Sequence, residues 1–350
     1  MQDYELLADK YDIYKMYSLI YGLPEQIEEA FDISFKFLNG ISMKNVKHVV
    51  IAGMGGSAIG GELAKSILEF ELKVPVLVNR GYKLPGFVDS ESLVIVSSYS
   101  GNTEETLSCY EDAKNRQALM IAITTGGKLK EKALEDKVPV LIIPSGLPPR
   151  AAIGYSFVPI YLILAKINSL LGTVERIQSL QKFLKKVRED FAKEAPGGQN
   201  KAKMLAERIY GKIPLIYGSQ GITEAVAVRW KGQLNENSKH PAFYNVFPEL
   251  NHNEIMGFEA EKNLLKNFVA IILRMPEEHE RIDKRIKITR DLIQDKITYV
   301  EEIWPQGENT LERIFYHIML GDFVSYYLAL LNEKDPYEIN FINTLKERMG

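Results

Sequence analysis

The feature that most constrains the fold is a glycine-rich turn directly after an uninterrupted apolar run. The run Val49–Ala52 precedes Gly-Met-Gly-Gly-Ser at 53–57. An apolar run without alternation predicts a strand buried on both faces, and the pattern from Ala58 onward predicts a helix. Unpaired backbone N–H groups and the positive end of the helix dipole point at the turn between them. The stretch therefore predicts an anion site, to which the Ser57 hydroxyl adds a donor.

A second stretch repeats this design. The apolar run Leu93–Val96 leads into a polar segment with the hydroxyls of Ser98, Ser100 and Thr103, before a helix predicted at 103–116. Neither stretch closes with the Gly-Lys-Ser/Thr of a Walker loop. Hydroxyls in place of the bare glycines of a dinucleotide-binding turn favour a phosphate monoester over a pyrophosphate. Two such turns in sequential strand–helix units support a phosphate site better than one would.

Composition and charge exclude several classes of protein. A formal net charge of -3 argues against a nucleic-acid surface, and a single cysteine, Cys109, rules out an internal disulfide and fits a reducing compartment. The acidic N-terminus lacks a secretory signal, and no apolar stretch approaches the roughly 20 residues of a membrane span. No set of His, Cys, Asp and Glu has the spacing of a metal site. We therefore expect a soluble cytoplasmic protein without a metal.

The order of predicted elements divides the chain into four parts. Residues 1–45 form a helical N-terminal extension that we expect to pack before the first sheet, and 171–210 form a helical connection. Strands and helices alternate in 46–170 and again in 211–350, which ends in a C-terminal helix. This alternation predicts an α/β protein with two doubly wound parallel sheets, which bind ligands beyond the carboxyl ends of their strands. The turn at Gly218 has few hydroxyls, so the phosphate is placed in 46–170.

Four side chains outside the turns are candidates for chemistry. Glu236 ends a helix in a polar cluster, and His252 follows in an asparagine-rich loop, so the two could transfer a proton. Arg150 begins an apolar helix, where its cation opposes the helix dipole, which indicates an anionic partner: a structural carboxylate or a charged intermediate. Taken alone, the simpler interpretations are a surface carboxylate for Glu236, a helix-cap histidine for His252 and a solvated lysine for Lys346.

Together these motifs resemble those of sugar isomerase (SIS) domains and, more closely, of the bifunctional phosphoglucose/phosphomannose isomerases. The likeness covers nearly the whole chain. It rests on Gly-Met-Gly-Gly-Ser at 53–57, the serine-rich segment 98–106, Thr-Thr-Gly-Gly at 124–127, Pro-Arg-Ala-Ala at 149–152, Asn-Glu-Asn-Ser-Lys at 235–239 and Asn-His-Asn at 251–253. The serine motifs mark the superfamily, whereas the Arg, Glu and His motifs in this order mark the isomerase branch.

The resemblance implies two SIS-type domains and an isomerase of glycolysis and gluconeogenesis. The enzyme would interconvert glucose 6-phosphate, and also mannose 6-phosphate, with fructose 6-phosphate through a cis-enediol(ate). Because the hydrogen moves as a proton, no metal or other cofactor is implied. The turns would bind the substrate phosphate through Gly55, Gly56, Ser57, Ser98, Ser100 and Thr103.

The resemblance also implies four catalytic roles. Glu236 would be the base that moves a proton between C1 and C2, and Arg150 would stabilise the enediolate. His252, contributed by the neighbouring subunit of a homodimer, would assist ring opening. Lys346 would share that work by contacting the ring oxygen.

One departure and two alternatives accompany this interpretation. Thr344 lies closer to Lys346 than the threonine expected in enzymes of this branch that use mannose 6-phosphate, so glucose 6-phosphate is the favoured substrate. The first alternative is a non-catalytic SIS phosphosugar sensor, which would need a DNA-binding domain whose pattern is not visible in the sequence. The second is an SIS isomerase that acts on another sugar phosphate.

Overall fold

A computed structural model describes residues 3–43 and 45–349. The chain forms two compact units, each with one parallel sheet. The first-sheet unit is Gly22–Lys182, and the second-sheet unit combines Met1–Tyr21 with Phe183–Gly350. The predicted α/β class with two parallel sheets is confirmed.

The helices and strands follow the predicted alternation closely. The helices are α1 (Tyr4–Tyr11), α2 (Met16–Tyr21), α3 (Leu23–Leu38), α4 (Gly55–Leu68), α5 (Glu104–Asn115), α6 (Gly127–Glu135), α7 (Ile153–Ile167), α8 (Thr173–Phe191), α9 (Lys201–Ile209), α10 (Glu224–Glu236), α11 (Lys262–Leu265), α12 (Glu280–Ile293), α13 (Thr310–Leu331) and α14 (Asn340–Met349). The strands are β1 (His48–Ala52), β2 (Val76–Asn79), β3 (Ser92–Ser97), β4 (Leu119–Thr124), β5 (Val140–Ile142), β6 (Ile213–Ser219), β7 (Phe243–Phe247), β8 (Phe268–Leu273) and β9 (Tyr299–Ile303). Short 3-10 helices occur at Pro149–Ala151, Glu249–His252 and Glu254–Glu259.

The first sheet has the strand order β2-β1-β3-β4-β5, and all its strands are parallel. All six residues of β3 are buried, as its unbroken apolar run predicts. From β1 the chain continues to β2, towards one edge of the sheet, and from β3 it continues to β4, towards the opposite edge. The topological switch point therefore lies between the carboxyl ends of β1 and β3, which is where such sheets bind ligands. The two hydroxyl-bearing turns follow these two strands.

The second sheet repeats this plan with the order β7-β6-β8-β9, again fully parallel. Its own switch point lies between β6 and β8. The core helix of this unit is α13, whose 22 residues are long and apolar enough to cross a membrane by length and composition, although Asp322 interrupts their apolar run. Since 94% of the most apolar window is buried inside the protein, the apolar character of α13 is explained by packing against α9, α10 and the first two helices.

The helices of residues 1–45 divide between the units. In the second-sheet unit, Tyr4 on α1 packs edge-on against Tyr327 of α13, and the Tyr326 hydroxyl donates a hydrogen bond to Asp12. In the first-sheet unit, α3 packs against α7, and the Tyr155 hydroxyl donates to Glu29. Helices α1 and α2 therefore belong with the second sheet, whereas the sequence placed them before the first. The tyrosines of α1 and α2 pack against aromatic residues of α13.

Candidate functional site

The glycine-rich turn brings a buried serine to the switch point of the first sheet. Helix α4 begins at Gly55, whose φ of +50° lies in the left-handed region that favours glycine. Ser57 is buried in the first turn of this helix, and its Oγ accepts a hydrogen bond of 3.3 Å from the Tyr99 backbone N–H. The turn after β1 is thus joined directly to the segment after β3, as the anion-site prediction requires.

The serine-rich segment after β3 groups its hydroxyls at the same edge of the sheet. The Oγ of buried Ser98 lies 3.0 Å from the Oγ1 of Thr103 and accepts a 3.1 Å hydrogen bond from the Gly101 N–H. Ser100 is exposed, and its Oγ accepts from the Asn102 N–H at 3.3 Å. The structure therefore collects the predicted hydroxyls on two linked segments beside the N-terminus of α4. A helix N-terminus with adjacent hydroxyl donors can bind an oxyanion.

A layer of contacts that sequence reasoning did not find holds this segment in place. The Thr125 hydroxyl donates to the Tyr99 carbonyl at 2.8 Å, and the Asn102 carboxamide oxygen accepts from the Lys128 N–H at 3.1 Å. The Tyr99 hydroxyl donates to the Pro144 carbonyl at 3.0 Å and accepts from the Leu147 N–H at 3.1 Å. The only sequence signal for this layer is the Thr-Thr-Gly-Gly motif at 124–127. These contacts hold the serine-rich segment against the residues that follow β4 and β5.

Arg150 reaches the glycine-rich turn through a close backbone contact. It lies in the 3-10 turn Pro149–Ala151 before α7, so the expectation that it opens the apolar helix itself is wrong by one short turn. A Cβ atom added to Gly56 would lie 2.7 Å from the Pro149 carbonyl oxygen and 3.5 Å from the Arg150 backbone nitrogen. Glycine at position 56 is what allows this approach. A buried guanidinium group is thus carried on a turn that touches the predicted phosphate site.

In the second-sheet unit, Glu236 borders a cavity. It is the last residue of α10 and is half-buried, on the wall of a cavity of about 640 Å³. Other lining residues include Lys239, His240 and Asp335, and the start of α14 closes one side. A carboxylate on the wall of a largely apolar cavity of this size is placed to act on a small ligand.

A buried polar network on α13 fixes the end of α10 that carries Glu236. The Asp322 carboxylate accepts from the Gln233 amide at 2.8 Å and pairs with Arg229 at 2.7 Å. One turn further on, Ser325 accepts from the Asn237 amide at 2.9 Å through its hydroxyl and from the Ser238 hydroxyl at 2.6 Å through its carbonyl. Sequence reasoning missed this network. Its signal was the presence of polar residues within the otherwise apolar α13.

His252 lies at the end of the 3-10 helix Glu249–His252 and is exposed. The neighbouring Glu254 is held by the Asn245 amide at 2.6 Å and by the Tyr217 hydroxyl. Burial, with the Glu254 carboxylate nearby, raises the pKa of Tyr217, so this hydroxyl stays protonated and donates. The proton-transferring pair stays a prediction.

Lys346 is exposed on α14, a helix with no buried residue. Thr344 on the same helix is also exposed. The ring-opening role of Lys346 therefore stays a prediction as well. Over residues 3–43 and 45–349, no group of three or more His, Cys, Asp or Glu side chains is arranged to hold a metal ion.

Comparison with known proteins bears on the whole chain. The family model of the SIS domain matches residues 42–138, and that of the bacterial phospho-glucose isomerase C-terminal SIS domain matches 198–349. A bifunctional phosphoglucose/phosphomannose isomerase from Caldicellulosiruptor bescii is 48% identical to this chain over 96% of its length and 99% of the relative. The chain belongs to the bifunctional phosphoglucose/phosphomannose isomerase family. The resemblance drawn from the motifs is thereby confirmed.

Other similar proteins place this member of the bifunctional isomerase family among related sugar-phosphate proteins. A D-glucosamine-6-phosphate 4-epimerase from Sulfolobus acidocaldarius is 32% identical over 87% of this chain and 90% of the relative. The crystal structure of hypothetical protein TT0462 from Thermus thermophilus superimposes with a TM-score of 0.73 and 14% identity, covering 99% of this chain and 94% of that one. At that identity the likeness shows the fold alone.

Proposed function

We propose that this family member is an aldose–ketose isomerase that interconverts glucose 6-phosphate, and also mannose 6-phosphate, with fructose 6-phosphate. The observation that carries the proposal is the 48% identity, over nearly the full length of both chains, to a relative named for these two activities. The grouping of hydroxyls at the switch point of the first sheet supports it, because a sugar phosphate needs such an anion site.

The substrate phosphate binds, in this proposal, to the two turns of the first-sheet unit. Backbone N–H groups of Gly55 and Gly56 and the hydroxyl of Ser57 face it from the start of α4. Ser98, Ser100 and Thr103 surround it from the neighbouring segment, where their hydroxyls can turn from each other to the ligand. Anchoring the phosphate far from C1 and C2 orients the open-chain sugar without taking part in the chemistry.

Glu236 is proposed as the base of the isomerisation. It takes the proton from C2 of the open-chain aldose, and the electron pair of that bond forms the C1=C2 double bond of the enediolate as the carbonyl pair moves onto O1. The hydroxyl proton of O2 passes to O1, and Glu236 returns its proton to C1 as the C2 carbonyl forms. Such base assistance is typically worth about 10² to 10⁴ in rate. A carboxylate is a weak base towards carbon, so a cation must stabilise the enediolate. We assign that role to Arg150, since a guanidinium stays charged at every relevant pH.

A conservative substitution of the proposed base tests the function. Incubation of wild type with fructose 6-phosphate in D₂O should place deuterium at C2 of both glucose 6-phosphate and mannose 6-phosphate, as followed by NMR. Glu236→Gln should abolish exchange while leaving fructose 6-phosphate binding intact. Glu338→Gln is the matched control, because Glu338 is exposed on the same cavity, and it should exchange at the wild-type rate. Undiminished exchange by Glu236→Gln would overturn the assignment.

We further propose that the enzyme is a cytoplasmic homodimer of hexose phosphate metabolism, in glycolysis and gluconeogenesis. His252 of the partner subunit and Lys346 would open the sugar ring. The exposed position of His252 supports its use by a second copy. Mixing inactive Glu236→Gln with inactive His252→Ala tests this sharing. Recovered activity supports it, whereas mixtures as inactive as their parts contradict it.

A second candidate function is suggested by the relative named as a glucosamine-6-phosphate 4-epimerase. Glucosamine 6-phosphate supplied to wild type would then give a product inverted at C4, which NMR distinguishes from isomerisation at C1 and C2. A non-catalytic phosphosugar sensor would bind fructose 6-phosphate and exchange no deuterium. The experiment with fructose 6-phosphate in D₂O and the one with glucosamine 6-phosphate together separate the three functions.

A further inference from the structure

The switch point of the second sheet, between β6 and β8, is built like that of the first. In both units six residues separate the inner strand from the following helix, 98–103 after β3 and 274–279 after β8. The first of these segments carries hydroxyls. The second carries Arg274 and Glu278 instead. Parallel sheets of this order bind ligands at the switch point, so a group that fills the switch point of the second sheet takes the place of a ligand.

The carboxylate of Glu278 fills it. One carboxylate oxygen accepts from the Met275 N–H at 3.0 Å and from the Ser219 hydroxyl at 3.2 Å. The other oxygen accepts from the Arg274 Nε at 3.0 Å. Ser219 is the last residue of β6, and the Glu278 side chain is only 2% exposed. The carboxylate thus bridges the ends of β6 and β8 as a bound oxyanion would.

The donors correspond to those of the first sheet. Met275 is the second residue of its six-residue segment, and Tyr99 is the second residue of the first one. The Tyr99 N–H points at the serine hydroxyl of the turn after β1. In the second sheet the equivalent N–H and the hydroxyl of Ser219, at the end of β6, converge on a single oxygen of Glu278. The same pair of donor types therefore serves an internal anion.

The charges around this carboxylate favour an anion. The Arg274 side chain is 1% exposed, pairs also with Asp283 at 2.6 Å and with Glu302, and lies over the Trp304 ring at 4.3 Å. These two other carboxylates are themselves paired with Lys287 and Arg290. Arg290 is also paired with Asp291, so the charge that favours an anion at this position is that of Arg274, which pairs directly with Glu278. Its charge-assisted hydrogen bonds are of the strong kind.

We propose that the second sheet has an anion site on the same plan as the first, and that the chain occupies it permanently with the carboxylate of Glu278. The site accepts a small monovalent carboxylate from solution only when this side chain is removed. Glu278→Ala removes CH₂–COO⁻ beyond Cβ, which acetate matches in size and charge. The switch point of the second sheet consequently offers no place for a substrate phosphate.

Chemical rescue tests the proposal in the full-length protein. Thermal unfolding of Glu278→Ala is measured in sodium chloride and in sodium acetate at equal ionic strength. We expect the midpoint in chloride to fall by about 5 °C or more, because the buried Arg274 loses one of its three carboxylate partners. Acetate should restore about half of that loss. The matched control is Glu277→Ala, which removes an exposed glutamate that pairs with Arg313, and acetate should not change its midpoint relative to chloride.

Each outcome decides the proposal. The proposal is overturned if Glu278→Ala has the same unfolding midpoint as wild type in chloride. It is also overturned if the midpoint of Glu278→Ala is no higher in acetate than in chloride. Where Glu278→Ala does not fold in chloride, refolding from urea with acetate should recover the native circular dichroism, and failure in both salts also overturns it. Glu278→Gln fills the space without the charge and should show no acetate effect. None of these readouts uses isomerase activity, so their failure leaves the proposed function standing.

Discussion

The contact between Gly56 and the turn of Arg150 makes Gly56→Ala an informative perturbation. The new Cβ would lie 2.7 Å from the Pro149 carbonyl oxygen, whereas ordinary contact begins at 3.4 Å. The neighbouring atoms are backbone, which cannot turn aside as a flexible side chain can. The turn must therefore retreat by about 0.7 Å, and Arg150 moves with it.

Two opposing terms set the effect on stability. Overpacking costs typically about 1 to 3 kcal/mol, while alanine in a helix gains about 1 kcal/mol over glycine. We therefore expect a net loss of about 0 to 2 kcal/mol in the free energy of unfolding, which leaves the protein folded. Catalysis is more sensitive, because a displacement near 1 Å of a catalytic group can cost about 100-fold. We expect kcat to fall about 10- to 100-fold, with a smaller change in KM.

The assay is conversion of fructose 6-phosphate to glucose 6-phosphate, coupled to a glucose 6-phosphate dehydrogenase, with urea unfolding in parallel. Gly61→Ala is the control on the same helix: its Cβ would lie 2.9 Å from the Ile51 side chain, away from the Arg150 turn. We expect it to be overpacked to a similar degree and to keep kcat within about threefold of wild type. Wild-type kcat in Gly56→Ala, or an equal loss in both variants, would refute the reasoning.

Two further predictions concern the second-sheet unit. Asp322→Ala should lower the free energy of unfolding by about 3 to 5 kcal/mol in urea titrations, because it removes the carboxylate that pairs with the buried Arg229 guanidinium at 2.7 Å; the double variant Arg229→Met, Asp322→Leu should lose clearly less. Complete burial lowers the pKa of His317 from 6.5 to about 4, although the hydrogen bond of 2.9 Å between its Nε2 and the Arg274 carbonyl acts in the opposite direction. As pH falls below about 6.5 the unfolded chain takes up a proton that the folded chain refuses until about pH 4, so stability present above pH 6.5 decreases by about 3 kcal/mol across that window. Urea titrations of His317→Gln should lack this part of the decline, and a slope equal to wild type would contradict it.

The elements that the sequence predicted best are those set by local pattern. At both β1 and β3 an unbroken apolar run followed by a polar or glycine-rich turn determines a strand, a turn and the start of a helix, and the structure has these bounds within one to three residues of the predicted ones. The hydroxyl-bearing turns meet because parallel topology brings the ends of β1 and β3 together. For these residues, a periodicity and a topology rule were sufficient.

The interactions that the sequence did not predict join residues far apart in the chain. Glu278 and Ser219 are 59 positions apart in the sequence, and Asp322 and Arg229 are 93 positions apart. Neither pair therefore produces a recognisable pattern in the local sequence. Helix α13 was recognised as a helix, but its burial is a property of its neighbours and not of its composition. The assignment of α1 and α2 to the second-sheet unit depends likewise on aromatic contacts with residues more than 300 positions away.

Helix α14 has ten residues, and none of them is buried; Phe341 is 93% exposed. A helix this short is marginal in water, because most helical stability in proteins comes from packing an apolar face. Its amide hydrogens should therefore exchange with solvent orders of magnitude faster than those of α13. Any role of Lys346 therefore depends on contacts that stabilise α14 from outside the helix. Binding of a ligand or of a second copy against Phe341 would slow the exchange of the α14 amide hydrogens, and this slowing is the most direct measurement of such binding.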